Sequence, residues 1–95
     1  MISKEEIKNT IYKCIKELNR QLHEESKLIL EEATVIAGEN SPLDSLGLAT
    51  LIICIERHLT SLDININILD KFIESSDPPF ITIEEMCLWL LEQLK

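Results

Sequence analysis

The stretch Ser41-Pro42-Leu43-Asp44-Ser45-Leu46-Gly47-Leu48-Ala49-Thr50-Leu51-Ile52-Ile53-Cys54-Ile55-Glu56-Arg57-His58-Leu59-Thr60 decides the fold of this 95-residue chain. After Pro42 the spacing predicts a helix from about Leu46 to Thr60, N-capped by Asp44 or Ser45. With 100° per residue and Leu48 as origin, Leu48, Leu51, Ile52, Ile55 and Leu59 lie within about 60° of one line, as a core-facing stripe does. Leu46, Ala49 and Ile53 fall at about 160°, 100° and 140°, on the other side. The helix therefore has apolar residues to spare. Either it is central and buried all round, or the second stripe is a surface that another protein covers. At the head of that stripe stands Ser45. A phosphate ester on a serine at a helix start would meet free N–H groups and the positive end of the dipole. A plain N-cap is the simpler use of the same residue.

Working outward, Ser3 and Glu6 form a capping box ahead of Ile7, Ile11, Cys14, Ile15, Leu18 and Leu22, which predicts an amphipathic helix over about 4–23. From Glu24 to Asp44 the apolar residues lose any sustained period. A long ordered connection, with at most a short helical turn, is expected there. Ser61-Leu62-Asp63 ends the central helix. Ile64-Asn65-Ile66-Asn67-Ile68 then alternates as a strand would, but no second strand is available to pair with it. An extended lead-in to a short helix over about 67–75 is the better reading, stopped by Asp77-Pro78-Pro79. Thr82 and Glu85 make a second capping box, and Ile83, Met86, Cys87, Leu90, Leu91 and Leu94 trace a last helix over 83–94. The expectation is an all-α, small four-helix bundle of three long helices and one short, a single domain over 1–95.

Composition narrows the function classes. Nine basic against 17 acidic side chains give a formal charge of −8, which disfavours nucleic acid and anionic membranes as partners. Residues 1–27 carry about +1 and residues 28–95 about −9, so the acidic surface follows the first helix and complements basic protein patches. No apolar run approaches a membrane span, Met-Ile-Ser-Lys-Glu is not a signal peptide, and a cytoplasmic protein is expected. Cys14, Cys54 and Cys87 are widely spaced without a Cys-x-x-Cys. They read as small buried hydrophobes rather than as a disulfide framework or zinc ligands, and His23 and His58 read as solvated. No metal site is expected. No phosphate loop, local catalytic triad or His-Glu-x-x-His pair is present, and the acidic pairs Glu31-Glu32 and Glu84-Glu85 suit caps and solvated faces. Ser45 as a hydrolase nucleophile would lack a base, since His58 lies about 20 Å along the same helix. An enzyme is not expected.

The segment 41–52, with Asp44-Ser45-Leu46 at the start of the second of four helices, resembles the acyl carrier protein family. The likeness extends to the long first helix, the long loop with Thr34, the short third helix and Pro79-Phe80-Ile81-Thr82-Ile83 before the last. It implies that a phosphopantetheinyl transferase, using coenzyme A and Mg²⁺, attaches 4′-phosphopantetheine to Ser45. The arm's thiol would then hold an acyl group as a thioester, to be loaded, transferred or condensed by partner enzymes. Asp44 corresponds to the residue that assists the transferase and its metal, Leu46 to the one beside the arm. Leu46, Ala49 and Ile53 would form the apolar centre of the docking face, with Glu56, Asp63 and Asp70 as its acidic rim. Carriers of housekeeping fatty acid synthesis usually place acids soon after the serine, where this chain has Gly47 and Thr50. A dedicated pathway, such as polyketide, lipid, siderophore or peptide-like assembly, is favoured instead. A shuttle of this kind is expected to be a monomer. An aminoacyl or peptidyl carrier, and an interaction module that keeps the fold but never receives the arm, are the alternatives.

Overall fold

The computed structural model describes residues 2–74 and 78–94. Among them it is all-helical: α1 spans Lys4–Asn19, α2 Ser45–Thr60, α3 Ile68–Glu74 and α4 Ile83–Gln93, with a single 3₁₀ turn at Glu24–Ser26. This is the small four-helix bundle that the periodicities predict. The lead-in 64–67 is extended and unpaired, and the helix after it ends by Glu74 as far as the structure is described; Ser75 and Asp77 lie outside the described residues.

Helix α1 starts where Ser3 and Glu6 exchange bonds: Glu6 N–H donates to Ser3 Oγ, and Ser3 N–H to Glu6 Oε1, each at 3.2 Å. It ends four residues before the expected Leu22–His23 boundary. The reason is nonlocal. Asn19 turns its amide onto the loop, donating to Leu28 O at 3.0 Å and accepting from Leu28 N–H at 2.9 Å. The chain beyond tightens into i→i+3 turns, Gln21 N–H to Leu18 O and Leu22 N–H to Asn19 O. Leu28, thus held, buries its side chain in the core.

The stripe of α2 is buried as spaced: Leu48, Leu51, Ile52, Ile55 and Leu59, joined by Cys54. It packs on α1, which also packs on α4, while α3 rests against α2. Asp63, with φ of 63°, takes the left-handed conformation that Asp tolerates better than most residues. Leu59 O accepts from both Leu62 and Ile64 N–H there, which closes the end of α2. Phe80 stacks between Phe72 and Trp89 at ring separations of 5.5 and 5.4 Å. Its burial contributes on the order of 2 kcal/mol.

The long loop is ordered by the segment before α4. Ile36 and Ala37 N–H both donate to Ile81 O, and Val35 forms an isolated antiparallel bridge with Thr82. Gly38 follows with φ of +87°, where a Cβ would come within 3.1 Å of Ile81 Cδ1. Only glycine suits both demands. Pinned in this way, the loop buries Ile36, Ala37 and Leu43 and delivers Asp44 to the start of α2.

Candidate functional site

Asp44 is the N-cap of α2, and Ser45 is its first helical residue. The carboxylate Oδ1 accepts from Gly47 N–H at 2.7 Å, and Leu48 N–H closes the first helical bond to Asp44 O at 3.0 Å. The amides of Ser45 and Leu46 have no intrahelical acceptor by helix geometry, and none among the described residues takes them. Ser45 is exposed, and no acidic side chain stands in this first turn of α2. An anionic ester on Ser45 Oγ would therefore meet two unclaimed N–H groups at the positive helix end.

Gly47 has a clear steric reason. A Cβ there would lie 3.2 Å from Asp44 Oδ1 and 3.3 Å from Leu43 Cδ2. The position costs up to about 1 kcal/mol in helix propensity, and in return lets the Asp44 carboxylate close tightly over the helix end. Its N–H is held rather than loose.

The second stripe of α2 faces outward. Leu46 is 76% exposed and Ile53 43%, with Ala49 half-buried beside them. The alternative of a helix buried all round is thereby excluded. Of the expected acidic rim, Asp63 and Asp70 are exposed. Glu56 has a structural use as well: half-buried, it accepts from Ile68 N–H at 3.2 Å and so caps the start of α3 from α2. An open cleft lined by Leu28, Ile29, Thr34, Val35 and Pro42 lies on the loop that leads to Ser45. Sequence patterning hinted at it only through apolar residues without a period.

All three cysteines are buried, as their composition suggested. Cys87 donates to Lys4 O. Cys14 and Cys54 instead face each other across the α1–α2 seam, beside Glu17 and His58. His58 is not a solvated helix histidine, because its Nε2 lies 3.6 Å from Glu17 Oε1 and its side chain is largely covered. Burial pushes the Cys14 and Cys54 thiols up, while the hydrogen bond from Cys54, aided by His58, holds the Glu17 carboxyl below its ordinary range.

No family model, curated protein or solved structure matches this chain. Among the described residues, no helix is long and apolar enough to cross a membrane.

Proposed function

We propose that this protein is an acyl carrier, modified with 4′-phosphopantetheine on Ser45 and serving a dedicated biosynthetic pathway. The observation that carries the reading is the start of α2: an exposed serine with two unclaimed amides, capped by an aspartate and followed by outward Leu46, Ala49 and Ile53. The resemblance of segment 41–52 to carrier proteins supports the same role. Ser45 Oγ forms the new bond to the phosphorus of coenzyme A. The bond from that phosphorus to the nucleotide moiety breaks, and the serine proton passes to a base of the transferase. Asp44, whose Oδ1 keeps Gly47 in place, would hold the transferase's Mg²⁺ with its other oxygen, and the metal would supply charge stabilisation at the phosphoryl group. The arm supplies a thiol that holds acyl groups as thioesters.

Leu46, Ala49 and Ile53 form the apolar centre against which transferase and acyl-handling enzymes dock, and this centre sets the lifetime of each complex. Asp63 and Asp70 set encounter rate and salt sensitivity from the rim. The chain itself does no catalysis. It acts as a tether that raises local substrate concentration at each partner.

The test is intact mass before and after incubation with coenzyme A, Mg²⁺ and a broad-specificity phosphopantetheinyl transferase. The native protein should gain one phosphopantetheine group, and Ser45→Ala should gain none while keeping its helix content. If the folded native protein gains nothing, the carrier reading falls and the outward stripe belongs to an interaction module.

A further inference from the structure

The α1–α2 seam holds one cluster of sulfur, imidazole and carboxylate groups. There α1 contributes Cys14 and Glu17, one turn apart, and α2 contributes Cys54 and His58, also one turn apart. The Cys14 and Cys54 sulfurs and a His58 ring nitrogen all lie within 4.8 Å of one another. Glu17 bridges the same group: its Oε2 accepts from Cys54 Sγ at 3.1 Å, and its Oε1 lies 3.6 Å from His58 Nε2. From this arrangement we infer a tetrahedral Zn²⁺ site, with Cys14, Cys54 and His58 as its protein ligands, a solvent molecule as the fourth, and Glu17 hydrogen-bonding to the ligand shell.

The dimensions suit that ion. Zinc bonds of about 2.0–2.3 Å place neighbouring ligand atoms of a tetrahedron roughly 3.3–3.8 Å apart. The sulfur and imidazole atoms, all within 4.8 Å of one another, need close in by no more than about 1 Å to reach it. Two sulfurs and an imidazole in one cluster suit zinc rather than magnesium or calcium, which call for oxygen. Ion entry has a route, an open cleft lined by Glu17, Cys54, Arg57, His58 and Ser61.

Binding involves no redox change. Each cysteine S–H bond breaks, its proton leaves to solvent, and both sulfurs bind the ion as thiolates beside a neutral imidazole. Two thiolates balance the charge of Zn²⁺, and the Arg57 guanidinium at the cleft offsets the neighbouring Glu17 carboxylate. Uptake releases the two thiol protons and therefore weakens in acid.

The site is independent of the carrier role. Cys54 lies nine residues beyond Ser45 on α2, about 14 Å by helical rise, so the metal would clip α1 to α2 without crowding Ser45.

The experiment uses the full chain as Ser45→Ala, so that no arm thiol can act as a ligand. The protein is kept reduced and stripped with a chelator. Zn²⁺ is then titrated in competition with a chromophoric chelator, and Co²⁺ is followed by absorption. One ion per chain is expected, with thiolate-to-cobalt charge transfer and tetrahedral d–d bands. Cys14→Ser and Cys54→Ser should each weaken binding by at least about 100-fold, the upper end of what even outer-shell changes cost. Since those variants alter the core, Glu17→Gln and His58→Gln provide a second reading at more accessible positions. Each should weaken Zn²⁺ by about tenfold or more and shift the cobalt bands. Absence of uptake by the reduced, folded protein, an octahedral cobalt spectrum, or unchanged affinity in both accessible variants would overturn the site.

Discussion

Helices α2 and α4 start from the same kind of signal and end up in opposite conditions. In α4, Thr82 caps Glu85 N–H at 3.2 Å, and Glu85 returns to Thr82 N–H at 3.1 Å. The first two amides of that helix are also taken, Ile83 N–H by Thr34 O and Glu84 N–H by Glu32 O. Every donor at the start of α4 is spent, and Glu84 and Glu85 shield the dipole. At α2 the third helical residue is Gly47 instead of a glutamate, the loop offers no carbonyl, and Ser45 and Leu46 keep their amides. One helix start has every donor taken, and the other keeps two amides without a partner among the described residues. A capping rule alone would treat these two ends alike, and the proposed carrier role assigns stability to one and function to the other.

The largest effect tests what Asp44 does beyond capping. Asp44→Asn keeps an N-cap of equal rank, so stability should move by less than about 0.5 kcal/mol. Phosphopantetheine transfer should nevertheless slow by about 100-fold, because a metal held by the lost carboxylate is worth several kcal/mol to the transition state. Denaturant midpoints and the initial rate of mass gain are the two readouts. An unchanged rate would reduce Asp44 to a cap.

Next comes the conversion of one start into the other. Gly47→Glu gives α2 the glutamate that α4 has, and places a negative charge beside the proposed ester. Like charges about 4 Å apart at a protein surface repel by roughly 1–4 kcal/mol, so transfer should fall at least about fivefold. Gly47→Gln brings the same crowding against Asp44 and Leu43 without the charge. If both variants slow equally, sterics rather than openness to anions explains the glycine.

On the sealed side, Thr82→Ala should cost about 1 kcal/mol in chemical denaturation and leave the transfer rate unchanged. A similar contrast holds on the outer face of α2. Ile53→Asp should shift stability by less than about 0.5 kcal/mol, yet shorten the lifetime of complexes with the transferase, read as a faster dissociation rate.

Much of this was legible in the chain. The periodicities placed four helices, both capping boxes and the outward position of Leu46, Ala49 and Ile53, because helix faces are set by residues three and four apart. What escaped was whatever depends on residues far apart. Asn19 ends α1 early through Leu28, and Glu56 caps α3 from a neighbouring helix. His58 is drawn from solvent by Glu17 across the seam. Cys54 and His58 do carry a local signal, one helical turn of spacing, but their partners stand on α1, some forty residues away, where no local motif reaches.

The smallest effect concerns how the sealed end is held. Lys8 Nζ meets Glu32 Oε1 at 2.9 Å, and the Glu32 backbone carbonyl accepts from Glu84 N–H. The ion pair therefore anchors the loop residue that helps close α4. The hydrogen bond from Lys8 lowers the Glu32 carboxyl below its ordinary range. A carboxyl lowered in the folded state contributes its stability above its unfolded pKa and loses it as pH falls through the lowered value. Lys8, raised by the same bond, contributes below its unfolded pKa and fails only in strong base. Both contributions are present at neutral pH. Glu32→Gln should thus lower the melting temperature slightly there, by less than Thr82→Ala does, and the difference from wild type should vanish once acid has protonated Glu32 in both states. A difference that persisted in acid would mean that Glu32 holds the loop through its packing and backbone, with the charge of Lys8 incidental to the sealed end.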